Sequence, residues 1–134
     1  MRYLGLDLGT RTLGLSISNG LIASSLKTIR YEDIEKLISE LQNVIKENSI
    51  DCLVLGFPKN MNNTIGPRAQ ETLEFKKKLE DLNYKVELQD ERLSTVSAHN
   101  YMIEADMSRK KRKEKVDALA ATIILQTYLD RRGN

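Results

Sequence analysis

Arg2-Tyr3-Leu4-Gly5-Leu6-Asp7-Leu8-Gly9-Thr10-Arg11-Thr12-Leu13-Gly14 is the stretch whose reading decides the fold. It begins as an apolar strand and ends near an acid, and an ionised carboxylate does not enter a core unless a partner offsets its desolvation. Asp7 therefore requires a metal, a cation or an edge. On a strand Gly5 shares side-chain parity with Asp7 and leaves that face open, while Gly9 permits a tight turn into a second strand over Arg11–Ser18. Aspartate and glycine are also ordinary turn formers, so Asp7 reads equally as the first residue of a β-turn, and the rest of the chain has to decide.

Asp-Leu-Gly-Thr further resembles the phosphate-binding hairpin of actin-like and sugar-kinase ATPases. Those proteins close two domains over a nucleotide, whereas 134 residues make one ordinary domain. Residues 1–134 contain no Pro- or Ser-rich linker, no internal repeat and no low-complexity block, so a single domain is expected from end to end. The opening residues lack the apolar stretch of a signal peptide, and no apolar run approaches the ~18 residues a membrane span needs, so a cytoplasmic protein with no membrane partner is expected. Cys52, the single cysteine, sits in Cys52-Leu53-Val54-Leu55 and reads as a buried, inert thiol.

Net charge is +2, and its distribution says more than its value. Residues 109–115, Arg-Lys-Lys-Arg-Lys-Glu-Lys, carry +5 and leave the other 127 residues at −3. Local basic clusters of this kind bind phosphate backbones, or else form a solvated basic loop. With two Phe and no Trp there is no aromatic array for stacking bases, so recognition should rest on shape and phosphates.

Working outward, a turn at Asn19-Gly20 and a third strand over Leu21–Ile29 complete an antiparallel meander. The period then changes to that of a helix at Ile34, Leu37, Ile38, Leu41 and Ile45. The apolar run Asp51–Phe57 predicts a strand covered on both faces, reached by a parallel crossover. Beyond Gly56-Phe57-Pro58 comes a polar loop whose borders, Lys59 and Arg68, are candidate phosphate contacts at the carboxyl end of a parallel strand. Pro67 starts a second helix lined by Thr72, Phe75, Leu79 and Leu82, and Lys85–Gln89 is a fifth strand. That strand runs into Asp90-Glu91-Arg92-Leu93-Ser94-Thr95, where parity sets Asp90 with Val86 and Leu88 but Glu91 with Glu87 and Gln89. A third helix over Thr95–Glu104 breaks at Ala105-Asp106-Met107-Ser108, and a last helix spans Val116–Leu129. His99, without a second histidine or cysteine nearby, receives no role. Asp117 falls in the first turn of the last helix, where the helix dipole alone would account for a carboxylate.

Asp7, Glu91 and Asp117 thus stand at privileged places on three separate elements. Three carboxylates with no histidine or cysteine among them form a hard-oxygen set suited to Mg²⁺ or Mn²⁺. Two such ions activate a water and stabilise the leaving oxygen of a phosphodiester. A +5 segment beside Asp117 suits a polyanionic substrate.

This order of elements, with acids at those points, resembles the ribonuclease H-like fold. It predicts an α/β three-layer domain with a mixed five-stranded sheet, strands 1–3 antiparallel and strands 4 and 5 parallel, and helices on both faces. More narrowly, the chain resembles the YqgF family, described as Holliday junction resolvases and as nucleases that mature the precursor of small-subunit ribosomal RNA. The carriers are Gly5-Leu6-Asp7-Leu8-Gly9-Thr10-Arg11 with Gly14, Gly56-Phe57-Pro58 with Gly66, Asp90-Glu91-Arg92-Leu93-Ser94-Thr95, and Asp117-Ala118-Leu119-Ala120-Ala121 with Ile124-Leu125. The resemblance implies that Asp7, Glu91 and Asp117 are the catalytic and metal-binding acids. Arg11, Lys59, Arg68, Arg92, Arg109, Lys110, Lys111 and Arg112 are the candidate nucleic-acid contacts. The expected function is metal-dependent cleavage of structured nucleic acid, foremost the pre-16S ribosomal RNA end, with ribosomal particles as further partners and a monomer or weak homodimer as the unit. Two alternatives stand beside it: resolution of four-way DNA junctions, which suits a two-fold dimer, and non-catalytic RNA escort in ribosome assembly.

Overall fold

The computed structural model describes residues 1–58, 66–90 and 109–132, with the side chains of 109–117 left aside. The elements follow as β1 (Tyr3–Leu8), β2 (Thr12–Ser18), β3 (Ala23–Arg30), α1 (Ile34–Glu47), β4 (Cys52–Phe57), α2 (Pro67–Asp81), β5 (Val86–Asp90) and a long final helix, α3 (Arg109–Arg132). The strands form one sheet in the order β3-β2-β1-β4-β5. β1 pairs antiparallel with β2 and parallel with β4, β2 pairs antiparallel with β3, and β4 pairs parallel with β5. This is the mixed sheet expected from the sequence.

Strand alternation divides the molecule into two cores. Leu4, Leu6 and Leu8 of β1, with Leu13 and Leu15 of β2 and Leu53 and Leu55 of β4, face α1 and α2. They meet Leu37, Leu41, Val44 and Ile45 of α1 and Phe75 and Leu79 of α2. On the other face Tyr3, Cys52 and Val54 pack against Ile124, Leu125 and Leu129 of α3. Helices therefore cover both faces, and Cys52 is buried as its neighbours implied. Burial accounts for its raised thiol pKa more than any neighbouring charge.

Local chemistry sets most boundaries. Asp33 caps α1 by accepting the Glu35 N–H at 2.8 Å, and Pro67 opens α2 at its first turn. Gly20 turns the β2–β3 connection with φ +116°, a conformation that favours glycine. The third strand starts at Ala23, two residues later than the sequence suggested, because Leu21 and Ile22 stay in the turn at 79% and 75% exposure. Leu82 lies past the end of α2 and is exposed, so it does not join the buried line of Thr72, Phe75 and Leu79.

The larger difference concerns α3. It begins at Arg109, so the basic run is the start of the helix itself and neither a loop nor a preamble to a helix at Val116. Residues 109–115 are Lys, Arg and Glu, all strong helix formers, with no Gly or Pro to stop propagation backward from the packed segment. The expected helix over 95–104 and the break after it lie outside the described residues.

The C-terminal half of α3 is fastened to the sheet by polar bonds as well as packing. Ser16 Oγ donates to the Ala121 carbonyl at 2.7 Å in a buried position. Gln126 accepts the Ala23 N–H at 2.8 Å and donates to the Leu21 carbonyl at 3.1 Å. Arg132 donates to the Tyr3 hydroxyl, and its guanidinium lies 5.3 Å from the Tyr3 ring centroid and 5.9 Å from that of Tyr128.

At the centre of this contact stands Gly5. A Cβ there would come within 2.9 Å of both the Ala121 carbonyl oxygen and the Leu125 Cβ, and would collide with Ser16 Oγ. Gly5→Ala should therefore lower stability by about 1–3 kcal/mol, the usual cost of overpacking, although alanine is the better strand residue. Urea unfolding checks this, and an unchanged midpoint would show that α3 lifts away without penalty.

Candidate active site

The face of β1 turned to α3 carries Tyr3, Gly5 and Asp7 in succession. Asp7 is 7% exposed. Across the sheet it pairs with Gly14 of β2, and the β1–β4 register, which pairs Leu6 with Leu55, brings Gly56 level with it on the other side. Gly56 in turn pairs with Gln89 of β5. A nearly buried carboxylate thus stands between two glycines on the adjoining strands, and neither adds a side chain to the face around it.

α3 crosses this face antiparallel to β1. Tyr3 meets Tyr128 and Arg132, while Gly5 meets Ala121 and Leu125. One further step of two strand residues advances ~6.6 Å, and one turn of helix back from Ala121 advances ~6 Å, so the backbone at position 117 comes level with Asp7. Asp117 is the ninth residue of α3 and lies in its third turn. Position 117 is thus beyond the terminal turn over which the helix dipole acts, so a helix-start role does not account for its carboxylate. The side chain of Asp117 lies outside the described residues.

At β5 alternation separates the two acids. Val86 belongs to the α1/α2 core, and Asp90 shares its parity. Gln89 lies on the α3 side, where Arg131 donates to it at 3.5 Å. Asp90 is therefore on the face opposite Asp7. Glu91 lies outside the described residues, as do Lys59 and Arg92. The backbone of Arg109, Lys110, Lys111 and Arg112 forms the first turn of α3. Arg11 is exposed at the tip of the β1–β2 turn, where with Arg30, Tyr31 and Glu32 it lines a groove of about 320 Å³.

The turn after Asp7 is held by residues distant in sequence. Arg68 Nη2 donates to the Leu8 carbonyl at 2.9 Å, and the Tyr31 hydroxyl donates to the Gly9 carbonyl at 2.7 Å. The Tyr31 N–H donates to the Arg11 carbonyl at 2.9 Å, and the Gly9 N–H to the Thr12 carbonyl at 2.7 Å. At Gly9 a Cβ would sit 2.9 Å from Thr12 Oγ1 and 3.3 Å from the Thr12 carbonyl oxygen, so a larger residue would have to displace the turn's own contacts. Burial raises the Tyr31 phenol above its ordinary pKa, Glu71 adds to the rise and Arg68 opposes it, so the hydroxyl keeps the proton it donates. Arg68, expected to meet phosphate, thus has a donor engaged with the protein's own backbone. Sequence reasoning missed Tyr31 altogether, for its partner lies 22 residues away and no motif links the two.

Among the described residues no group of three or more His, Cys, Asp and Glu is placed to hold a metal ion. Only Asp7 of the three expected ligands has a described side chain. Its chemistry fits a hard divalent cation: an oxygen donor, largely withdrawn from water, on a face kept clear by glycines.

A family model described as "RuvX: Holliday junction resolvase" matches residues 1–131. A protein of Clostridium botulinum (strain Alaska E43) named "Putative pre-16S rRNA nuclease" is 52% identical over 134 residues, covering 98% of each chain. One of the same name from Bacillus subtilis is 50% identical over 135 residues, covering 97% of this chain and 98% of the relative. Among solved structures, Thermus thermophilus RuvC in complex with Holliday junction substrate aligns with TM-score 0.61 and 15% identity over 100% of this chain and 97% of that one. Fowlpox virus resolvase with its substrate Holliday junction DNA aligns with TM-score 0.60 and 12% identity over 100% of both. At that identity the likeness speaks to the fold, which is ribonuclease H-like.

With Asp7, Glu91 and Asp117 as one acidic site, replacing Asp7 by asparagine should leave the melting temperature of the metal-free protein unchanged or higher, because it relieves repulsion among carboxylates at little change of shape. A fall of more than about 5 °C, roughly 1 kcal/mol for a domain of this size, would make Asp7 a structural turn residue.

Proposed function

The chain belongs to the RuvX family, and from that premise we propose that it is a divalent-metal-dependent endonuclease in which Asp7, Glu91 and Asp117 hold Mg²⁺ or Mn²⁺. The proposed unit is one nuclease domain over residues 1–134, acting in the cytoplasm as a monomer or weak homodimer. The observation that carries the reading is the setting of Asp7 on the α3 face, nearly buried between Gly14 and Gly56, with the backbone of position 117 level with it. Parity adds support for Glu91 over Asp90, since Asp90 faces the other core.

When bound, the divalent ions supply an activated water and charge stabilisation for the leaving oxygen of a phosphodiester. The chain's own residues do the remainder. Asp7 offers a carboxylate from a rigid strand, so its position is set by the sheet and not by a loop. α3 has no acid in its first turn, and its basic run occupies the positive end of the helix dipole. That placement is electrostatically unfavourable by itself, and a phosphate backbone relieves it. Arg11, exposed at the hairpin tip, adds a second cationic point.

Nucleic acid is the substrate class, and the pre-16S ribosomal RNA end, met within ribosomal particles, is the substrate we favour, on the names of relatives about 50% identical over nearly the whole chain. A second reading, resolution of four-way DNA junctions, draws on the family description and on a fold shared with two junction-bound resolvases. Cleavage assays on precursor RNA and on junction DNA, with Mn²⁺ and then with chelator, separate the two. Activity on neither would favour RNA escort without catalysis.

In those assays Glu91→Gln should remove metal-dependent cleavage, and Asp90→Asn should keep a substantial part of it. The reverse order would overturn the assignment. Changing Arg109, Lys110, Lys111 and Arg112 to alanine should weaken binding and flatten the plot of log affinity against log salt. On a helix only positions three or four apart share a face, so about two of the four reach one backbone, and the slope should change by roughly 1.4–1.8. An unchanged slope would remove the start of α3 from the binding surface.

A further inference from the structure

We propose that Tyr31 and Arg68 are positioning residues that hold the Asp7 carboxylate for metal by locking the two carbonyls that follow it. The inference rests on the nuclease reading above. Leu8 and Gly9 present consecutive carbonyls immediately after Asp7, and each is held by one side chain: Arg68 at 2.9 Å and Tyr31 at 2.7 Å. The pairing of β1 with β4 reaches only Leu6 and Leu55, so the strand runs two residues beyond its last parallel partner before the turn begins. At that overhang Arg68 serves in place of a neighbouring strand, and Tyr31 holds the turn just beyond it.

The clamps approach from separate elements. Arg68 is the second residue of α2, whereas Tyr31 follows the end of β3 and packs against the core beneath α1. Tyr31 also donates its backbone N–H to the Arg11 carbonyl, so it grips the turn at both Gly9 and Arg11. Neither side chain needs to touch substrate or metal to act. A ligand on a strand end that frays by an ångström loses the geometry a multi-ligand site depends on, which is why groups that merely orient ligands matter for affinity and rate.

The test uses the full chain with Mn²⁺ as the probe. Tyr31→Phe keeps the ring and its packing and removes only the donor. It should fold normally, weaken Mn²⁺ binding measured by calorimetry by roughly three- to tenfold, and lower kcat by a similar factor with KM for nucleic acid unchanged, as loss of one net hydrogen bond implies. Arg68→Gln should behave likewise, and Arg68→Lys should restore most of the loss by supplying one donor. Unchanged Mn²⁺ affinity and kcat in folded Tyr31→Phe and Arg68→Gln would overturn the proposal. A rise in KM alone for Arg68→Gln would overturn it for Arg68 by making that residue a phosphate contact. Asp7→Asn runs beside them: if it leaves Mn²⁺ affinity intact, the acidic-site reading falls and this inference with it, whereas loss in Asp7→Asn but not in the clamp variants sinks the inference alone.

Discussion

The close approach of α3 to β1 at Gly5 is the constraint on which the rest depends. A helix ordinarily packs on a sheet with side chains filling the gap between the two backbones. Here glycine on the strand and alanine on the helix let backbone approach backbone, and Ser16 bridges them through the Ala121 carbonyl. The register between strand and helix is then fixed by a buried hydrogen bond and hard sterics together, which tolerate little sliding. What is fixed at Gly5 is carried to Asp7 two residues along the strand, and at Ala121 to position 117 one turn along the helix. Two backbone positions distant in sequence, 7 and 117, come level through a contact made by neither.

The same helix carries an electrostatic imbalance from one end to the other. Arg131 and Arg132 at its C-terminus complement the dipole, and Arg132 is further occupied by the rings of Tyr3 and Tyr128. The basic run at its N-terminus opposes the dipole. A helix whose packed half is anchored by Ser16, Gln126 and Arg132 can extend such a segment, because the stability of the anchored half offsets local repulsion.

Parity makes much of the sheet legible in the sequence: Gly5 with Asp7 on one face of β1, Asp90 with Val86 and opposite Glu91 on β5, and one apolar strand, 51–57, covered on both sides. Two features were not legible, for different reasons. The sequence places the last helix from Val116, where the apolar residues begin, whereas helix propensity and attachment to the packed segment carry α3 back to Arg109. Tyr31 was invisible because a single tyrosine after a strand carries no periodicity, and its role arises only when the fold brings it to Gly9. Arg68 shows the intermediate case: its proximity to the site was readable from the loop after β4, whereas its bond to the Leu8 carbonyl was not.

The strand directions draw the candidate residues to one edge. β1, β4 and β5 are parallel, so their carboxyl ends, at Leu8, Phe57 and Asp90, lie on the same side of the sheet, with Phe57 paired to Asp90. Ligands of open α/β sheets gather at such an edge, where strands end and loops diverge. Asp7 lies one residue before the first of those strand ends, on β1. The clamp of Tyr31 and Arg68 holds that strand end and its turn in place.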